Sequence, residues 1–401
     1  MFDSHLDLSR FIVGMVIVWL CTIALPRITR AEKSFTPRLS LEQEYNDNWF
    51  RAEDDEVEFW VTRVSPGFSF EAVTGRSRAA LDFDYSYSWH NTSENDVSAS
   101  NEDYSGVDLS LDTAYRPTSR LTMGLTEEFF LTREPASTDQ FADIEDRELY
   151  WRNRLLPSLL YDIGEKGEAI LGYRYERLNW VSNTDPGQSD SDEHRGIFTL
   201  TYIFNPTNHL DLESQYWHRI YDKNDLSDYD SYQSKLIYRR EFSTYLSGEA
   251  GAGYQHRDYD DSDLGEEDLF VFHGGLTGAT DRSKLEVYAE RSMVDYTTED
   301  DYFNAFRTSL FAQHIVLEAL RIYAGGYYQN SDYHDSSRED DTYNGYGGLG
   351  YRFFRKLFEV SLEYNYTERD SNRSGRDYQE NSVFLRLDCV YPDFLDLFRK
   401  Q

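Results

Sequence analysis

Four histidines, His218, His256, His273 and His314, fall on four separate predicted strands, and acid–base hydrolysis is the first chemistry they suggest. A serine hydrolase would need a G-x-S-x-G turn for its nucleophile, and a zinc hydrolase an H-E-x-x-H helix. The sequence contains neither motif, nor a Gly-rich phosphate loop or a metal-type Cys and His spacing. We therefore predict no enzyme and no cofactor, and we assign the histidines structural roles.

The loop DYDDSDLGEED (258–268) suggests a second chemistry, calcium binding, because hard cations favour carboxylate oxygens. An EF-hand register that starts at Asp260 places Gly265 correctly, but it puts Leu264 and Val271 where acids are required. The EF-hand motif therefore fails. Loop-bound Ca²⁺ remains open as a hypothesis, against the alternative of a solvated acidic loop.

Carboxylates at alternate positions give a third pattern. In LDFDYSYSWH (81–90) Leu81, Phe83 and Trp89 occupy odd positions, whereas Asp82 and Asp84 occupy even ones. A period of two places the two sets on opposite faces of a β-strand. Because an unpaired carboxylate costs several kcal/mol to bury in an apolar core, the acidic face must meet water. A soluble sandwich and a membrane barrel both remain possible at this point.

The bulk composition narrows the class of protein. The 401 residues are 16% aromatic, with 32 Tyr and 25 Phe, and the formal net charge is -33. This aromatic content argues for a folded chain with a large interfacial surface. The acidic balance argues against a nucleic-acid partner, because phosphate binding needs clustered Lys and Arg.

The N-terminus indicates export. Arg10 precedes the apolar run FIVGMVIVWLCTIAL (11–25), and Thr29 and Ala31 supply small residues before a cleavage ahead of Glu32. The run is shorter than the roughly 20 residues of a bilayer helix. We predict a signal peptide over 1–31, a barrel over 32–391 and a periplasmic tail over 392–401, with an uncleaved anchor helix as the alternative.

The rest of the chain contains no other helix-length apolar segment, so any embedding in a membrane must use strands. Alternation and turn signals predict about eighteen strands, with 16 to 18 as the range, beginning with 37–46, 57–72 and 78–90. Short links such as TGRS (74–77) alternate with long acidic links such as NTSENDVSASNED (91–103). Outer-membrane barrels have short periplasmic turns and long external loops. We predict an all-β, single, up-and-down antiparallel transmembrane barrel in the outer membrane of a Gram-negative bacterium.

The polar faces of these strands define the candidate lumen lining, which mixes both charge signs with an acidic excess. Its members are Asp82, Asp84, Asp108, Asp112, Glu128, Arg174, Glu176, Asp211, Glu213, Lys235, Glu249, Glu286, Glu290, Glu359, Glu363 and Arg386. Carboxylates in a narrow passage favour cations. The alternative is that these groups only fix strand register, through pairs such as Asp211 with Lys235.

Aromatic residues near strand ends are the candidates for girdles at the lipid headgroups. They are Trp89, Tyr115, Trp151, Trp180, Trp217, Tyr296 and Tyr351. We expect outer-membrane lipid and lipopolysaccharide to surround this surface.

With these residues identified, the chain resembles the outer-membrane β-barrel porins found with bacterial exopolysaccharide and capsule export systems. The resemblance rests on LEQEYNDNWF (41–50), on VTRVSPGFSFEAVTGRSRAALDFDYSYSW (61–89), and on strand-PT-strand units such as FNPTNHLDL (204–212). It implies passage of polymer or solute across the outer membrane, and it carries no catalytic residues. The tail PDFLDLFRKQ (392–401) departs from it, because such barrels often end on a terminal aromatic residue.

Three functions follow. The resemblance favours export of an exopolysaccharide handed over by a periplasmic export protein. The acidic lumen also fits a general, cation-leaning diffusion porin for small solutes. A non-conducting surface or adhesin barrel would share the same sequence pattern.

Overall fold

The computed structural model describes residues 32–94, 98–134, 147–181, 189–222, 227–260, 265–296, 301–334 and 337–392. The predicted signal peptide (1–31) lies outside the described residues, as does the tail beyond Pro392. No helix in the described ranges is long and apolar enough to cross a membrane. The only described helix is a single 3-10 turn, Ala99–Asn101.

Eighteen strands of 12 to 16 residues make up the described chain. The first nine are β1 Glu32–Asn46, β2 Phe59–Val73, β3 Ser77–Asn91, β4 Tyr104–Tyr115, β5 Leu121–Thr132, β6 Tyr150–Gly164, β7 Gly167–Trp180, β8 Ser191–Asn205 and β9 Asn208–Tyr221. The other nine are β10 Tyr229–Ser243, β11 Leu246–Tyr259, β12 Glu266–Ala279, β13 Ser283–Tyr296, β14 Asp301–Val316, β15 Leu320–Tyr333, β16 Glu339–Phe353, β17 Phe358–Ser371 and β18 Tyr378–Val390.

The sheet closes into a ring. Each strand pairs antiparallel with its neighbours in the chain, and β1 also pairs with β18 from Arg38 opposite Val390 to Asn46 opposite Ser382. Closure removes the open edges that an exposed sheet would present to other chains. The predicted antiparallel barrel of about eighteen strands is confirmed.

The two faces of the ring differ in chemistry. Along β1, Leu39 and Leu41 are exposed, while Glu42 and Glu44, which follow them on the alternate positions, are buried. The face that carries Glu42 is the interior, because its side chains contact groups that lie across the ring. Arg147, just before β6, binds Glu380 of β18, although β1–β5 lie between these two strands.

The links differ between the two ends of the barrel. We call the end with the short links, such as 74–76 and 206–207, the turn end, and the opposite end the loop end. Polar and apolar residues alternate only weakly along strand β15. Its Gly325 and Gly326 leave no side chain to mark either face, although the strand pairs fully with β14 and β16.

An arginine on the outer face should destabilise the barrel. Leu171 lies within β7 on the outer face and is 58% exposed, so Leu171→Arg places a charge in the hydrocarbon layer. We expect the free energy of unfolding in lipid vesicles to fall by about 2–4 kcal/mol, as measured by urea titration. Thr199→Arg, on the inner face of the adjacent β8, is the control and should have little effect. Equal losses would contradict the face assignment.

Candidate functional site

All sixteen candidate lumen residues lie on the inner face, as the strand register shows. Most of them have a partner of opposite charge. Arg386 donates to Glu42 at 2.7 Å, and Glu359 accepts from Arg321 at 2.5 Å and from Arg352 at 2.6 Å. A role of the sixteen candidate residues in conduction remains a prediction.

Arginines that the sequence analysis did not select supply most of these partners. Asp211 pairs with Arg239, which also binds Glu249 at 3.0 Å. The expected pair of Asp211 with Lys235 is wrong, because the register places Lys235 opposite Glu213, with Lys235 Nζ 3.5 Å from Glu213 Oε1. A shift of two residues in an antiparallel register keeps the face and changes the partner, so alternation alone could not identify it.

One side of the inner face keeps an acidic excess. We call the candidate residues of β3–β5 the acidic wall; they are Asp82, Asp84, Asp108, Asp112 and Glu128. Arg38 binds Asp84 at 2.7 Å and Asp82 at 3.1 Å. Asp108 and Glu128 have no cationic side chain within ion-pair distance among the described residues. Two carboxylates of this wall are therefore free to attract a cation.

The opposite side carries an arginine and aromatic rings. We call Arg307, Tyr323, Tyr327 and Tyr346, on β14–β16, the aromatic wall. The Arg307 guanidinium lies 3.7 Å from the centroid of the Tyr327 ring, a cation–π contact. Strands β4 and β14 lie on opposite sides of the ring, because β5–β13 separate them one way and β15–β18 with β1–β3 the other. The two walls therefore face each other near mid-strand.

Glycines on the neighbouring strands let two of these tyrosines lie flat against the sheet. Tyr346 lies over Gly325, where a Cβ would come 2.5 Å from its hydroxyl oxygen. Tyr323 lies over Gly348 in the same way, and its hydroxyl donates to Glu363 at 2.5 Å. Because the glycines have no side chain, the two rings can lie against the sheet and stay out of the central passage.

Replacing one of these glycines should push its tyrosine into the lumen. We expect Gly348→Ala to break the Tyr323–Glu363 hydrogen bond and to lower the free energy of unfolding by about 1–3 kcal/mol, because overpacking forces neighbours to move. Single-channel conductance should fall with it. Gly347→Ala is the matched control, because its Cβ would face outward with contacts no closer than 3.6 Å. A conductance unchanged in both variants would contradict this role for the glycine.

The aromatic wall borders an inner chamber of about 670 Å³ towards the turn end. Charged groups of both signs line it, including Arg239, Glu249, Glu286 and Arg307, together with Tyr288. Lys284 binds Glu286 at 2.9 Å at its edge. Such a chamber offers hydrogen bonds, both charges and ring faces to a small solute.

Side chains from loops cross the lumen at the loop end. Arg147 binds Glu134 at 2.8 Å and Glu380 at 2.8 Å, and its guanidinium stacks 3.9 Å from the Trp49 ring. Arg51 adds a second contact to Glu380 at 2.8 Å. We call these five residues the cross-lumen cluster. It ties two loops to β18 and narrows the lumen at the loop end.

The cluster holds ionised groups. Enclosure by protein alone would raise the pKa of Glu134, but the guanidinium groups of Arg147 and Arg63 outweigh it and hold that pKa below its ordinary value. Arg63 reaches Glu134 at 2.5 Å from β2. Glu134 therefore stays charged at neutral pH, so the cluster is held by ion pairs.

Further ion pairs fill the loop-end half of the inner face. Glu193 accepts hydrogen bonds from Arg174 at 2.7 Å, Arg195 at 2.8 Å and Arg219 at 2.9 Å. Glu176, a candidate lumen residue, lies buried beside it and pairs with Arg154. The interior is therefore most crowded near the loops.

Two predicted girdle residues belong to this filled interior. Trp180 is 3% exposed and packs on Tyr150, and Trp217 is 4% exposed beneath the Arg195 guanidinium. Their assignment to a lipid-facing girdle is wrong. Each lies four residues beyond a predicted lumen carboxylate, Glu176 or Glu213, so strand periodicity already placed it inside.

The other girdle candidates differ. Trp89, Tyr115 and Tyr351 lie on the outer face and are 47%, 39% and 49% exposed, and Trp151 lies half-buried on the same face. The side chain of Tyr296 lies outside the described residues.

Metal binding finds no support in the described residues, where no group of three or more His, Cys, Asp or Glu side chains is placed to hold an ion. Residues 261–264 of the acidic loop lie outside the described ranges, so calcium binding there stays a prediction. Of the four histidines, His218 and His256 bind Asp230 and Asp268 on the outer face.

Comparison with known proteins identifies a family. The family model described as "Putative beta-barrel porin 2" matches residues 164–390, which is more than half of the chain. No curated protein matches it. The match confirms the resemblance at the level of a beta-barrel porin, and it does not support the link to exopolysaccharide export.

Solved porins of Pseudomonas aeruginosa share the fold. OpdK, crystallised with vanillate, aligns with a TM-score of 0.51 and 13% identity, over 89% of this chain and 99% of its own. OccK2 (OpdF) aligns with a TM-score of 0.52 and 12% identity, over 90% and 98%. OccK9 (OpdG) gives 0.51 and 12%, over 90% and 99%. At these identities the likeness concerns the fold alone.

Proposed function

Since the chain belongs to the beta-barrel porin family that its sequence matches, and lies in the outer membrane of a Gram-negative bacterium, we propose that it lets small solutes diffuse through its lumen. The proposal rests chiefly on the inner chamber of about 670 Å³, which is lined by charges of both signs and by ring faces. A water-filled lumen with such a lining suits passive entry of polar molecules.

The crowded loop end favours a small solute over a polymer. An extended polysaccharide occupies every level of the lumen at once, so each constriction must accommodate it throughout export. A small solute has to pass the cross-lumen cluster only once, during a brief opening. The ion pairs of Arg147 with Glu134 and Glu380 therefore weigh against export of a chain.

The two walls suggest what the channel prefers. Asp108 and Glu128 of the acidic wall attract small cations, so we expect a modest overall preference for cations. The aromatic wall offers a cation, Arg307, beside a ring face, Tyr327. This pair suits a solute that carries both a carboxylate and a planar ring. The vanillate with which OpdK was crystallised has that chemistry.

Swelling of vesicles that contain the purified protein tests the proposal. Vesicles placed in isotonic arabinose or sodium benzoate should swell faster than empty vesicles, because the solute and then water enter. Dextran of polymer size should cause no swelling. Entry of dextran would favour polymer export, and failure of both small solutes to enter would favour a non-conducting barrel.

A further inference from the structure

The ring of strands is incomplete at the loop end between β12 and β13. Their pairing runs only from Ala279 opposite Lys284 to Phe272 opposite Arg291. Beyond that point β12 continues beside β11 up to Glu266, and β13 continues beside β14. The two strands therefore separate before they reach the loops.

The β13–β14 hairpin turns into the barrel where the strands separate. Met293 and Tyr302 lie on the hairpin face that points outward nearer the turn end. Their side chains are nevertheless only 5% and 1% exposed. They pack on Leu269 and Val271, which belong to the inner face of β12. The outer face of the hairpin therefore packs on the inner face of β12. This contact places the loop end of the hairpin inside the barrel.

This inward turn leaves a cleft of about 300 Å³ on the outer surface, which we call the outer cleft. It is lined by Phe272, Arg291, Asn304, Phe306, Asn330 and Asp332. All six lie on the lipid-facing side of their strands by register. Below it, towards the turn end, Leu276, Leu285 and Leu310 are 49%, 48% and 52% exposed and would contact acyl chains.

Of the polar residues that line the outer cleft, Asn330 donates to Glu339 at 3.1 Å and to Asp341 at 3.0 Å, whereas three others lack such partners among the described residues. No described carboxylate lies within ion-pair distance of Arg291, and Asp332 has no described cationic partner. The side-chain oxygen of Asn304 is buried and accepts no hydrogen bond from the described residues. A buried acceptor without a donor is costly, so a donor from outside the chain would stabilise it.

We propose that the outer cleft binds the phosphorylated sugar headgroup of an outer-leaflet glycolipid of the lipopolysaccharide type. Arg291 holds the phosphate, as guanidinium groups do in fork geometry. Asn304 and Asp332 accept hydrogen bonds from sugar amide or hydroxyl groups, and Phe272 and Phe306 contact the first segment of an acyl chain. The long loops of such barrels face outward, which places the loop end in the leaflet that carries this lipid.

Native mass spectrometry of the full chain in detergent, with added bis-phosphorylated lipid A, tests the site. We expect the protein to retain one lipid A, and Arg291→Ala to weaken the apparent affinity about tenfold, as expected for one charge-assisted contact. Asn304→Leu should weaken it as well. Arg240→Ala is the matched control, because Arg240 lies on the outer face at the turn end and should not matter.

Several outcomes would overturn the assignment. Equal weakening by Arg240→Ala, or equal binding of phosphatidylethanolamine, would make the contact a non-specific lipid annulus. Displacement of lipid A by inorganic phosphate alone would assign the cleft to soluble anions. Retention of β-sheet circular dichroism by the Arg291 and Asn304 variants excludes misfolding as the cause. The result is independent of conduction, so failure here leaves the proposed diffusion function untouched.

Discussion

Arg147→Ala should raise the single-channel conductance of the barrel at least about twofold, because it removes the cation that Glu134 and Glu380 share across the lumen and so releases the loop. Arg147 is 7% exposed and Glu380 is 6% exposed, and the arginine is the only described residue that joins Glu134 to Glu380. In the variant Glu134 keeps Arg63 and Glu380 keeps Arg51, but nothing among the described residues joins the two carboxylates, so the loop can move away from β18. Recordings in planar bilayers at neutral pH measure the change.

Arg133→Ala is the control for this experiment. Arg133 belongs to the same loop and pairs with Glu102 at 2.7 Å, but that pair does not cross the lumen. We expect its conductance to match that of the unmodified chain. If Arg133→Ala opens the channel as far as Arg147→Ala does, loop loosening in general, and not the cross-lumen cluster, sets the conductance.

Arg307→Glu should lower the rate of benzoate entry about tenfold and increase the preference for cations, because it places a carboxylate on both walls at mid-height. The substitution also sets the new carboxylate opposite Glu290 on β13, which strengthens the local negative field. Swelling rates measure benzoate entry, and the reversal potential in a KCl gradient measures the ion preference.

Two further variants make the Arg307 result specific. Arg307→Lys keeps the charge and should retain most of the benzoate rate. Lys33→Glu makes the same charge change on the outer face of β1, away from the inner chamber, and should leave both readouts unchanged. An unchanged reversal potential in Arg307→Glu would mean that solutes do not pass between the two walls.

The fold was predictable because its strongest signals are local. Alternation in segments such as 81–90 places each residue on a face, and the alternation of short and long links identifies the two ends of the barrel. Strand length and closure follow from these signals, and the structure has β3 at Ser77–Asn91 where 78–90 was predicted. The inner-face carboxylates were found for the same reason.

The partners of those carboxylates were not predictable in the same way. Arg147 and Glu380 are separated by most of the barrel in sequence and meet only because the ring closes. The inward turn of the β13–β14 hairpin depends on the packing of Met293 and Tyr302 against β12, and strand periodicity assigns these residues to lipid. Side-chain contacts between different elements, which strand periodicity does not encode, therefore decide the features that narrow the lumen and form the outer cleft.

Planar-bilayer recording of the purified full chain, beside Arg147→Ala, tests the central claim most directly. The closed ring with a polar interior predicts discrete current steps for the unmodified protein and larger steps for the variant. Folded protein that inserts into the bilayer and carries no current in either form would contradict a conducting lumen.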